Sequence, residues 1–208
     1  MKNKFIKSYL IITATIVAVI FSIQGFCKEP KAVIGSTISD FGLKNVDGNI
    51  ISLSDYKNAK GFIVVFTCNH CPFTKLYSKR LIDLNNKYSV LNVPLIAINS
   101  MDSLAYEDES FNKMKLKAKT DSFNFPYLHD DFQNVGKTFA AGHTPMAYII
   151  WNENNQWIVK YKGSIDDNGE NPEKATSFIG NAVDELLQNK SVSNPVTESF
   201  GCKIFYRK

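Results

Sequence analysis

Two periods of apolar spacing alternate along this chain. Residues 41–53 alternate apolar and polar positions around Val46-Asp47-Gly48-Asn49, and Asp-Gly between such runs predicts a β-hairpin. Residues 61–67 then place Phe62, Ile63, Val64, Val65 and Phe66 in succession, the pattern of a strand buried on both faces. From Pro72 the period becomes helical, with Phe73, Leu76, Tyr77, Leu81, Leu84 and Tyr88 on one face. Proline is tolerated at that start because first-turn amides have no intrahelical partner. A second buried strand is expected over residues 93–99, a lysine-rich helix with solvated charges over 110–119, and a short helix over 131–141. The apolar run 146–151 reads as a strand that turns at Asn154-Asn155 into a partner over 156–162. The last regular element, 172–188, carries a core-facing stripe of Phe178, Ile179, Ala182, Val183, Leu186 and Leu187, and residues 190–208 read as a polar tail carrying Cys202. This order predicts an α/β fold, a mixed central sheet between helices with an N-terminal β-hairpin, in one domain over residues 34–189.

The first 27 residues break the pattern. Lys2, Lys4 and Lys7 precede an apolar stretch from about Tyr9 to Ile23 and then small residues, the layout of a secretory signal peptide. The stretch is shorter than the roughly 20 residues of a comfortable membrane span, so cleavage is expected over retention as an anchor. Contact with a membrane is expected only if the leader stays on. Phe26 before Cys27 speaks against lipidation of that cysteine, because small residues precede lipidated ones. The leader's lysines account for most of the formal charge of +4, and no basic stripe remains that would suit nucleic acid. The expected setting is therefore the periplasm or cell envelope.

An exported chain with four cysteines would ordinarily suggest a disulfide framework, but the spacing here speaks for reactive thiols. If Cys27 departs with the leader, Cys68, Cys71 and Cys202 are an odd number. Cys68 and Cys71 stand two residues apart where the buried strand gives way to the helix, so they can close a small disulfide ring. Unpaired amides at a helix start carry partial positive charge and favour a thiolate. Cys68, preceding the helix, is expected to be the exposed attacking thiol, largely ionised at neutral pH, with Cys71 as the resolving thiol. His70 between them is expected to tune thiol pKa and potential by facing the thiolate. Thr144-Pro145, directly before an apolar strand, is the expected substrate-binding element, and His143 would then sit beside the dithiol. A soft metal such as copper or zinc held by Cys68, Cys71, His70 and His143 is the competing reading, but zinc sites usually draw on two separated ligand pairs. No metal and no cofactor beyond the dithiol is expected. Cys202 is a candidate third redox thiol; spacing alone leaves it free to shuttle electrons, to pair between chains or to lie buried.

With these residues placed, the sequence resembles the thioredoxin-like superfamily, and within it the redoxin branch of peroxiredoxin-like AhpC/TSA-type proteins. The resemblance rests on Phe66-Thr67-Cys68-Asn69-His70-Cys71-Pro72, Phe125-Pro126-Tyr127-Leu128, Thr144-Pro145, Tyr161-Lys162-Gly163-Ser164-Ile165-Asp166-Asp167 and Gly201-Cys202-Lys203-Ile204. It implies a three-layer thioredoxin-like sandwich, a redox-active disulfide between Cys68 and Cys71, and a cis Pro145 facing it. Peroxiredoxins carry threonine three residues before the peroxidatic cysteine, and here Cys68 stands three residues before Cys71. Relatives also often carry a cysteine where this chain has His143. The expected function is thus thiol-disulfide oxidoreduction, with thiol-dependent peroxidase and metal-handling module as alternatives. The expected partners are protein thiols or disulfides, a small thiol or a hydroperoxide, together with an upstream electron donor or acceptor.

Overall fold

The structure is a computed structural model that describes residues 32–207. The expected leader, Cys27 included, lies outside the described residues. Strands β1 (Thr37–Ile38), β2 (Gly42–Asn45), β3 (Ile50–Ser52), β4 (Gly61–Phe66), β5 (Leu95–Asn99), β6 (Tyr127–His129), β8 (Met146–Glu153) and β9 (Gln156–Gly163) form one sheet in the order β1-β9-β8-β4-β5-β6-β2-β3. Strands β4, β5 and β6 run parallel, and the remaining pairs are antiparallel. The mixed sheet expected from the sequence is therefore present. Its first hairpin turns at Asp47-Gly48, where Gly48 takes a φ of 99° and the Asn49 amide donates to the Asp47 carboxylate.

Alternation along β4 explains its unbroken apolar run. Phe62, Val64 and Phe66 enter one core cluster, Ile63 and Val65 the other, and all six residues of the strand are buried. Helices α1 (Pro72–Ser89), α2 (Phe111–Thr120) and α4 (Phe178–Leu187) supply Tyr77, Leu81, Tyr88, Met114, Ile179 and Val183 to the second cluster. Helix α3 (Asn134–Phe139) supplies Val135 and Phe139 to the first. Helices thus cover both faces. No helix among the described residues is long and apolar enough to cross a membrane.

Three local expectations change. The buried face of α1 is Thr74, Tyr77, Leu81, Asn85 and Tyr88, whereas Phe73 and Leu76 are exposed. Polar groups hold that face in place: the Leu95 amide donates to the Asn85 side chain, which itself donates to the Asn124 carbonyl. Helix α4 begins at Phe178 rather than near 172, because Ser177 caps it by accepting from the Gly180 amide while Pro172–Lys174 forms a separate 3-10 turn. The segment after α4 is no free tail. Lys162 exchanges backbone hydrogen bonds with Pro195 and Thr197, the Ser164 hydroxyl donates to the Glu198 carbonyl, and Ile204 is buried in the first cluster. Its short strand β10 (Cys202–Lys203) pairs with β7 (His143–Thr144).

Helix α1 is tied to the loop after β9 by one polar knot. Asp166, almost fully buried, accepts from the Tyr77 hydroxyl at 2.9 Å and pairs with Arg80 at 2.5 Å. Tyr77→Phe removes one donor while Arg80 and the Asn168 amide still serve the carboxylate, so it is expected to cost only about 1 kcal/mol. Urea denaturation at unchanged m-value would measure it; a loss of several kcal/mol would mean that the knot fails as a unit.

Candidate active site

The chain leaves β4 at Phe66, passes Cys68, Asn69 and His70 in a short loop, and enters α1 with Cys71 at the N-cap and Pro72 in the first turn. Thr74, one turn inside the helix, sets its hydroxyl 3.1 Å from the Cys68 carbonyl and 2.9 Å from the Cys71 carbonyl, closing the loop onto the helix start. Across from it lies Thr144, joined to Pro145 by a cis peptide bond, as the resemblance implied. The Thr144 hydroxyl is 3.0 Å from the Cys68 sulfur, and its carbonyl oxygen is 3.6 Å from the Cys71 sulfur. The fold therefore gathers Cys68, Cys71, Thr144 and Pro145, four of the residues the sequence singles out.

It also brings Cys202. Strand β10 places Cys202 directly opposite Thr144 in antiparallel register, and Cys71 is disulfide-bonded to Cys202 across 131 residues of sequence. Cys68 is the free thiol. In this state the bond is not the Cys68–Cys71 disulfide that the resemblance implied, because the β7–β10 register brings Cys202 to Cys71 from outside the motif. Spacing left Cys202 free to shuttle electrons, to pair between chains or to lie buried; it is instead partly buried and paired within its own chain.

The expectation of an exposed, ionised Cys68 is overturned. Both Cys68 and Cys71 are 0% exposed, with Thr144 of β7 against both sulfurs and Cys202 of β10 bonded to Cys71. Burial pushes the Cys68 thiol above its ordinary pKa, and the negative charge of Glu109 adds to the rise. Hydrogen bonds from Thr144, the Cys71 backbone and Thr74 oppose it without cancelling it.

Glu109 is the residue that sequence reasoning missed. It ends a 3-10 turn, Glu107–Glu109, beyond β5, and is completely buried. Its carboxylate accepts from the Asn69 amide at 2.9 Å, the His70 amide at 3.4 Å and the Asn99 side chain at 2.8 Å, and lies 2.5 Å from Nδ1 of His70. Asn69 is further fixed by donating to the Asp108 carbonyl and accepting from the Tyr127 hydroxyl. Two amides at the helix entry that could have faced a thiolate thus face a carboxylate instead. The His70 ring, expected to face the thiols, is committed to Glu109 and stacks near Tyr106. Likewise His143 turns Nε2 to the Ser199 carbonyl at 2.5 Å and does not sit on the dithiol. Nothing in the run Glu107-Asp108-Glu109 marks its last member as buried; only the packing of the turn against the dithiol loop reveals it.

Among the described residues no group of three or more His, Cys, Asp or Glu side chains is arranged to hold a metal ion. The two histidines named as ligand candidates are engaged with Glu109 and the Ser199 carbonyl.

Comparison with known proteins places this geometry. Residues 34–168 match the model of the AhpC/TSA family. The thiol-disulfide oxidoreductase ResA of Bacillus thuringiensis subsp. konkukian is 27% identical over 164 residues, 78% of this chain and 90% of that protein. Among solved structures, an uncharacterized conserved protein from Geobacillus kaustophilus is 35% identical with a TM-score of 0.76, over 84% of this chain and 93% of its own. A hypothetical protein from Sinorhizobium meliloti 1021 is 29% identical with a TM-score of 0.77, over 85% and 96%.

Proposed function

We propose, for a chain that belongs to the AhpC/TSA family, the function of a thiol-disulfide oxidoreductase working through Cys68 and Cys71 without a cofactor. The observation that carries this reading is the meeting of three cysteines at Thr144: the Cys68 and Cys71 sulfurs lie against it, and Cys202, bonded to Cys71, stands opposite it across the β7–β10 pair. The Bacillus relative carries the same activity in its name. Disulfide exchange needs an attacking thiol, a disulfide and a leaving thiol, and Cys68, Cys71 and Cys202 can supply all three. Pairing of Cys71 with Cys202 supports a reversal of the expected roles: Cys71 forms the mixed disulfide, and the free thiol Cys68 resolves it. Substrates of this chemistry are protein thiols and disulfides, with an upstream donor or acceptor to reset the pair.

The raised pKa of Cys68 and the capture of the Asn69 and His70 amides by Glu109 support a reducing couple. Strong oxidants of this class owe their potential to a stabilised thiolate in the reduced form. Equilibration with glutathione is expected to give a value nearer about −270 mV than about −120 mV. The proposal includes export, supported by the leader pattern of residues 1–27.

One observation favours a second reading, thiol-dependent peroxidase. A sulfenic acid formed on Cys71 by a hydroperoxide would condense with the Cys202 thiol, losing water and leaving the bond seen here. Arg80, the arginine of α1, is bound to Asp166 and to the Asn168 and Gly169 carbonyls and so is not turned to the sulfurs. Parallel assays with insulin disulfides and with hydrogen peroxide separate the readings. Rapid turnover of insulin and slow turnover of peroxide are expected, and the opposite ranking would replace the first reading by the second.

A further inference from the structure

We propose that β10 is a built-in substrate: the Cys71–Cys202 bond is an internal mixed disulfide, and the segment around Cys202 occupies the place of an extended cysteine peptide. The inference rests on the exchange reading above and adds a substrate class to it. Strand β7 is two residues long and, among the described residues, pairs with β10 alone in a two-stranded sheet. Its edge is thus filled by the chain itself, with Cys202 opposite Thr144 and Lys203 opposite His143. The fit is close at the residue before the cysteine. A Cβ on Gly201 would run into the Thr144 carbonyl group, and Gly201 also holds a φ of 153°, which side-chain-bearing residues rarely adopt.

The occupant is tethered on both sides. Before it, Thr197 and Glu198 are hydrogen-bonded to the end of β9 and to Ser164. After it, the Ile204 amide donates to the Gly142 carbonyl, and the Gln133 side chain brackets the backbone by donating to the Phe205 carbonyl and accepting from the Arg207 amide. A tethered partner has an effective concentration in the mM range or above, so an external peptide meets a competitor already in place.

Cys68 resolves this internal disulfide as it would an external one. Its thiolate attacks the Cys71 sulfur, the Cys68–Cys71 bond forms, the Cys71–Cys202 bond breaks, and the electron pair leaves on Cys202. The proton lost by Cys68 is balanced by the proton gained by Cys202, so the step is redox-neutral and needs no outside oxidant. Once freed, Cys202 no longer holds β10 covalently, and the Thr144 edge can take an extended peptide with glycine before its cysteine.

The test uses the full chain as Cys68→Ser and as Cys68→Ser/Cys202→Ser, both reduced and then offered an acetylated, amidated Ser-Phe-Gly-Cys-Lys-Ile peptide as its mixed disulfide with glutathione. Cys71 attacks the peptide sulfur, glutathione leaves, and intact mass reports the adduct. Half-maximal capture by the double variant is expected at a peptide concentration at least about tenfold below that of the single variant, because no tethered thiol then competes with the peptide for the Cys71 sulfur. Valine in place of the peptide's glycine is expected to reverse that gain. In the otherwise native chain, Gly201→Val is expected to leave Cys202 open to alkylation under oxidising conditions where the native chain protects it. Equal capture by the two variants, indifference to valine, or a protected Cys202 in Gly201→Val would overturn the internal substrate while leaving the exchange reading intact. Failure of both variants to capture any peptide, with no insulin reduction by the native chain, would remove both.

Discussion

Cys71→Ser is expected to abolish disulfide exchange to the uncatalysed background, whereas Cys202→Ser keeps the motif dithiol and keeps turnover. Cys71 is the sulfur common to both bonds, one made with Cys202 in the resting state and one expected with Cys68 during exchange. Stability separates the three cysteines in a second way. The Cys71–Cys202 bond spans 131 residues of sequence, and disulfides typically contribute about 2–4 kcal/mol by restricting the unfolded chain, with a chain-entropy limit of about 5 kcal/mol for so long a loop. Under non-reducing conditions Cys71→Ser and Cys202→Ser should each lose that contribution, while Cys68→Ser should lose none of it. Urea denaturation of the three variants, run beside insulin reduction, gives each a distinct pair of results. Retention of turnover by Cys71→Ser would end the assignment of the exchange to this site.

Most of the frame was legible in the sequence because periodicity reports burial directly. The strand over 61–66 and the hairpin at Asn154-Asn155 follow from apolar runs and turn residues, and the structure has them where expected. Helix α1 was legible as a helix but not in its rotation. Thr74 and Asn85 are buried because their side chains bond to backbone, while Phe73 lies exposed against Phe200. A scale that counts only apolar residues therefore turns the helix the wrong way. The site was legible to the extent that it lies within one motif. Cys68, Cys71 and Thr144-Pro145 are recognisable by spacing and position, but the Cys71–Cys202 bond joins segments that only the β7–β10 register brings together. Glu109 was illegible for the same reason, since its partners Asn69, His70 and Asn99 lie on two other segments.

Glu109→Gln is expected to shift the ionisation of Cys68 toward neutral pH. Two causes raise that thiol, burial first and the charge of Glu109 second, so removing the charge lowers the pKa without returning it to the ordinary value. The substitution keeps the packing. The amide oxygen of Gln can take the Asn69 amide and Asn99 side chain that now bond to Oε2, while its NH2 can donate to Nδ1 of His70 in the tautomer that carries its proton on Nε2. Glu109→Ala offers no such replacement and strands two buried donors, on Asn69 and Asn99, at about 1–3 kcal/mol each, a loss of about 2–6 kcal/mol in all. Comparison of the two variants thus separates charge from support. In a Cys71→Ser/Cys202→Ser background, where Cys68 is the remaining thiol among the described residues, thiolate absorbance against pH should rise at lower pH in the Gln variant than in the parent. In the chain with all three cysteines the same substitution should move the couple toward more oxidising values, because it stabilises the reduced, ionised form more than the disulfide. An unchanged absorbance profile would mean that the carboxylate acts on the loop's shape alone, and the reducing poise would then have to come from the burial of Cys68 by β7 and β10.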